Sequence, residues 1–151
     1  MAQSQRNALA KPPYIGALLR APTEAIRRKL INDLKAAGFE YLSVPHMAVL
    51  QYPGPDGVRP SVLAERAGMS KQAMNQLLAS LEASGYVARS AAKDDGRSRV
   101  VRFTKRGRAA YARIADILSD IEREWIAELG AQPFADLKAL LTRVWQSQLV
   151  R

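Results

Sequence analysis

Apolar residues recur at helical spacing from Tyr14 to Ala37, where Ile15, Leu18, Leu19, Ile26, Leu30, Ile31 and Leu34 share one stripe. Pro22 interrupts it, so the segment is either two helices meeting there or one kinked helix, because proline removes a donor and clashes one turn back. Gly38 supplies a C-cap. Val44 to Tyr52 reads as a short apolar helix with Ser43 at its N-cap and Pro45 in its first turn. Tyr52-Pro-Gly-Pro-Asp-Gly57 is loop. A short helix from Pro60 to Ala67 ends at Gly68, and Ser70 caps a longer one that runs to Ser84 and stops at Gly85. The pattern then changes. Tyr86 to Arg89 and Arg99 to Thr104 hold β-branched and aromatic residues around Asp95-Gly96, a hairpin signal. Thr104 caps a helix carrying Ile114, Ile117, Leu118, Ile121, Trp125 and Leu129. After Gly130, Phe134, Leu137, Leu141 and Val144 mark a last amphipathic helix.

The fold class that follows is mainly α with a small β-hairpin wing, a winged helix-turn-helix flanked by N- and C-terminal helices. Residues 1–12 are expected to be a flexible polar tail without the apolar stretch of a signal peptide. Residues 13–151 are expected to form a single domain, with the winged helix-turn-helix core at 43–107 and flanking helices at 13–37 and 108–151. A three-helix head and a hairpin cannot cover all of Ile117, Ile121, Trp125, Leu137, Leu141, Val144, Trp145 and Leu149, so a second copy is expected to do so.

On a helical wheel, the segment from Ser70 to Ser84 turns Met74, Leu77, Leu78 and Leu81 inward and Gln72, Asn75, Gln76 and Ala79 outward, with Lys71 at the boundary. A face of amides and one alanine, short of charge, suits a major groove: amides bond adenine N6 and N7, and an alanine methyl meets a thymine methyl. An A·T-containing half-site is the expectation. Ser70, Lys71, Gln72, Asn75 and Gln76 are the candidate contacts on this helix. On the wing, Lys93, Arg97 and Arg99 are placed to reach the neighbouring minor groove, and Asp95 is read as accepting from Arg97 or Arg99 and fixing its direction.

Charge placement agrees. The net charge is +9, and residues 59–108 alone hold 11 basic and 4 acidic groups, a footprint suited to phosphate. Lys105, Arg106 and Arg108 even load the first turn of a helix, where cations oppose the macrodipole.

The stretches "LAERAGMSKQAMNQLLASLEASGYVAR", Leu63 to Arg89, and "DDGRSRVVRFTKRG", Asp94 to Gly107, resemble the winged helix of the MarR family of bacterial transcriptional regulators. The second contains an Asp-x-Arg wing motif, here Asp95-Gly96-Arg97. The resemblance implies a sequence-specific DNA-binding regulator: a homodimeric repressor on a palindromic double-stranded operator, released by a small aromatic or acidic ligand. It makes Arg97 the wing-tip arginine, Gln72, Asn75 and Gln76 the recognition positions, and the N- and C-terminal helices at 13–37 and 108–151 the dimerisation helices. Pro22 and the loop Pro53 to Pro55 depart from the family's usual pattern.

Other chemistries find little support. The chain has one histidine, His46, and no cysteine, so no thiolate metal site, disulfide or thiol switch exists; a reducing cytoplasm is the expected location. No apolar run is long enough to span a membrane. No catalytic triad, metal cluster, phosphate loop or cofactor signature is legible, and the chain is not read as an enzyme. An effector pocket would draw on Tyr41, His46, Met47 or Tyr111, with Trp125 nearby. The competing reading is an architectural or RNA-binding winged helix without operator specificity.

Overall fold

Pro22 neither splits nor ends the first helix: α1 runs unbroken from Ile15 to Ala36 with proline inside it. Its cost, about 3 kcal/mol in a helix interior, is met at an exposed position. One residue on, the Thr23 hydroxyl donates to the Leu19 carbonyl at 2.7 Å. Downstream of it Leu30 and Leu34 are buried and Ile26 packs against the core, so tertiary burial holds the distal half. This computed structural model describes residues 13–50, 57–92 and 98–150.

Gly38, at φ 85°, turns the chain out of α1, with the Phe39 N–H donating back to the Leu34 carbonyl at 3.0 Å. The expected helix at Val44 to Tyr52 is a 3₁₀ turn, Val44–His46, followed by one α-turn, α2, Met47–Leu50; residues 51 and 52 lie outside the described residues. Helices α3, Pro60–Arg66, and α4, Lys71–Ala83, follow, and their junction carries Gly68 at φ 62°. The Ser70 hydroxyl accepts from the Ala73 N–H at 3.1 Å and so caps α4.

Strands β1, Val87–Ala91, and β2, Arg99–Phe103, pair antiparallel with Val87 opposite Phe103 and Ala91 opposite Arg99. Both are shifted by a residue or two from the spans expected from sequence, because Tyr86 closes α4 (its N–H donates to the Leu81 carbonyl) and Thr104 caps the next helix. A third extended segment went unread in the sequence: Val58 bridges Val101 antiparallel, with N–H···O bonds of 3.0 and 2.8 Å. The wing is thereby anchored to the chain entering α3.

Helix α5, Lys105–Leu129, packs on α1 on one side and α6, Ala131–Trp145, on the other. Its residues Ile114, Ile117 and Ile121 join Leu34, Leu50, Leu63, Leu78 and Tyr86 in one core. Two residues expected to be left over for a partner, Ile117 and Ile121, are therefore filled within the protomer: the long α5 reaches α1, which a count of the head alone had left out. Leu137, Leu141, Val144, Trp145 and Leu149 do remain exposed, Trp145 at 69 % and Leu149 at 96 %. At the other end of the chain Tyr14, Ile15, Leu18 and Leu19 are exposed as well.

Candidate nucleic-acid interface

Helix α4 presents two faces, as its sequence dictates. Met74, Leu78 and Leu81 are buried and Leu77 is half-buried against the core, while Lys71, Gln72, Asn75, Gln76 and Ala79 are exposed. The capping serine, Ser70, is also exposed, and it brings the positive end of the α4 dipole to the same surface as Lys71. Arg99 is exposed at the first position of β2. Lys93, Asp95 and Arg97 lie outside the described residues.

A residue that sequence reasoning missed joins the two motifs. Arg89 on β1 donates from one terminal nitrogen to the Asn75 Oδ1 at 3.2 Å and from the other to the Asn75 backbone carbonyl at 3.4 Å. Its Nε lies 3.1 Å from Glu82 Oε2, and its own backbone N–H donates to Glu82 Oε1 at 3.2 Å. Arg89 thus ties the first strand of the wing to two turns of α4. No local pattern announces it, since the partners lie seven and fourteen residues away. Arg102 acts within the wing, donating from Nε to the Ser90 hydroxyl at 3.1 Å.

Two of the cations in the first turn of α5 have internal partners. The Arg106 guanidinium sits 4.7 Å from the centroid of the buried Tyr86 ring, and Arg108 donates to the Phe103 carbonyl at 2.9 Å. For these two, the unfavourable position against the helix dipole is offset locally.

The four candidate effector residues are dispersed. Tyr41 is exposed at φ 66° in the loop after α1 and lines a cavity of about 430 Å³ with Ile31, Lys35 and Phe39. Tyr111 is exposed and stacks at 5.6 Å on Phe103. Met47 is buried and lines a different cavity, of about 490 Å³, bounded by α1, the turn before α2, the end of α3 and Leu118 of α5. His46 is buried and bonded on both ring nitrogens. Met47 and Tyr41 thus line separate cavities.

His46 has a structural task. Ser43 donates its backbone N–H to Nδ1 at 3.0 Å, so Nδ1 is unprotonated and the proton belongs to Nε2, 3.2 Å from the Ser80 hydroxyl of α4. Burial holds His46 below its usual value of 6.5. The unfolded chain therefore binds more protons there, and the stabilisation is complete above the unfolded value and lost as pH falls from it toward the lowered folded value. Denaturant midpoints followed from about pH 7.5 to 5.5 should drop for the wild type and drop less for His46→Gln. Parallel pH profiles for the two would show that His46 does not carry this dependence.

Among the described residues no helix is long and apolar enough to cross a membrane, and no group of His, Asp and Glu is arranged to hold a metal ion. A two-helix unit with an exposed amide face, set against a β-hairpin, defines a winged helix-turn-helix of the DNA-binding transcription-regulator class. The MarR family profile matches residues 42–98. The HTH-type transcriptional repressor Rv2887 of Mycobacterium tuberculosis is 30% identical over 137 residues, 90% of this chain and 96% of the relative. The crystal structure of that MarR family protein in complex with salicylic acid superposes with a TM-score of 0.63 at 31% identity, covering 90% of this chain and 99% of the other. Streptococcus pneumoniae FabT in complex with DNA shares the fold, with a TM-score of 0.76 at 19% identity over 87% of this chain and 93% of that one. The chain belongs to the MarR family.

Proposed function

We propose that the protein is a repressor that binds a palindromic operator as a homodimer, places α4 in the major groove and the wing in the adjacent minor groove, and is released by a small acidic or aromatic ligand. The observation that carries this reading is the exposed face of α4, where Gln72, Asn75 and Gln76 stand beside the capped, positive helix start at Ser70 and Lys71. In this reading Ser70 and Lys71 hold phosphate and the three amides read base edges. Lys93, Arg97 and Arg99 serve the minor groove, with Asp95 orienting the arginines. Residues 13–151 act as one unit in which the helices within 13–37 and 108–151 join two copies. The exposed apolar stripes at the start of α1 and along α6 support that assignment. A twofold pair would set the two α4 helices roughly 34 Å apart, one turn of DNA.

The ligand is placed in the cavity lined by Met47. Ile26, Leu30 and Leu118 give it an apolar wall, and Arg27 and Arg66 bring positive charge to its edge. That composition suits an aromatic acid, the chemistry of the salicylic acid held by the mycobacterial relative. The cavity spans α1, α3 and α5, so an occupant would bear on the angle between the paired helices and the DNA-binding head.

Operator selection from a random duplex library tests the reading face. Asn75→Ala and Gln76→Ala should flatten base preference at defined positions while costing about 1–3 kcal/mol at the preferred base. Arg97→Ala should weaken all sequences nearly uniformly. An Asn75→Ala protein that loses affinity equally for every operator variant would place the reading face elsewhere.

A further inference from the structure

Arginine has donors only, so the atom of Asn75 facing Arg89 has to be the amide oxygen, and the side-chain flip of Asn75 is fixed by chemistry. The same guanidinium holds the Asn75 backbone carbonyl and lies against Glu82, which leaves it little freedom to swing away. Bidentate reading of adenine needs both ends of the amide on one base edge, Oδ1 accepting from N6 and Nδ2 donating to N7. With Oδ1 drawn toward β1, Nδ2 is the end left for the groove.

We infer that Arg89 is a positioning residue for specificity: it turns Asn75 into a one-way donor that reads a purine N7 and does not select adenine over guanine. The inference rests on α4 being the reading helix. It revises the adenine expectation at this position and leaves Gln72 and Gln76 as the amides free to read in both directions. The wing thereby acts on base choice in the major groove through a strand residue that is not itself among the proposed DNA contacts.

The test uses the full-length protein and synthetic operators altered at the base pair whose preference Asn75→Ala abolishes. For the wild type, adenine and guanine should bind within about threefold of each other there. 7-Deazaadenine, which lacks N7, should cost on the order of tenfold, and purine nucleoside, which lacks the N6 amine, should cost nothing. Each ratio is taken against the same duplexes with Asn75→Ala, so that changes in the DNA itself cancel. Arg89→Ala should raise the preference for adenine over guanine by on the order of tenfold, because Oδ1 is released to accept from N6. If Arg89→Ala does not fold, the base analogues with wild-type protein decide alone. A tenfold penalty for the missing N6 amine in the wild type would overturn the inference, as would an unchanged adenine-to-guanine ratio in a folded Arg89→Ala. If Asn75→Ala alters no base preference anywhere, the reading face itself fails and this inference with it.

Discussion

Gly107→Ala should be the most damaging single-atom-scale change in the chain, lowering stability by about 3 kcal/mol or more. A Cβ at Gly107 would overlap the carbonyl oxygen of Tyr86 and come within 3.0 Å of the Phe103 ring. The obstacle is backbone, which cannot rotate aside. That same carbonyl accepts from the Thr104 N–H at 3.1 Å and lies 3.2 Å from the Thr104 hydroxyl, the group that caps α5. Tyr86 cannot yield either: it is fully buried and donates its hydroxyl to the Glu40 carbonyl at 2.7 Å. The close approach of α5 to the chain leaving α4 sets the wing's position, so the loss should fall on DNA binding too. For a domain of this size the melting temperature should fall by roughly 10 °C. A fall under about 2 °C would mean that the two segments do not meet as described.

The second large effect is expected from Leu141→Asp. Leu141 lies on the exposed stripe of α6 with Leu137 and Val144, and its removal costs the protomer little buried area. A carboxylate facing its counterpart across a twofold interface would have to be desolvated or repelled. The variant should keep its circular dichroism, sediment as a monomer at micromolar concentration, and bind operator on the order of a hundredfold more weakly, since two linked reading heads are reduced to one. Retained dimers with unchanged affinity would move the interface off α6.

The parts legible in the sequence are those set by neighbours a few residues away. Caps at Ser70 and Thr104, left-handed glycines at 38, 68 and 85, and the two faces of α4 all follow from spacing and residue type, and each appears where expected. The continuity of α1 through Pro22 could not be decided locally, because burial of Leu30 and Leu34 outweighs the proline. Contacts between distant segments were out of reach for the same reason. The Val58–Val101 bridge, the Arg89 clamp and the burial of Ile117 and Ile121 each depend on which elements meet. For the candidate site the consequence is specific. The exposed residues of α4 were found, the residue that orients one of them was not, and of the residues named for a pocket Met47 and Tyr41 line separate cavities.

Specific operator recognition is the claim on which the rest depends, and competition binding at a fixed salt concentration tests it most directly. Full-length protein is titrated onto the DNA flanking its own gene and onto random duplex of equal length, with the salt slope measured for both. The flanking DNA should bind at least about 10³-fold more tightly than random duplex at physiological salt. Equal affinities with equal salt slopes would contradict operator recognition and leave a winged helix that binds nucleic acid by charge alone.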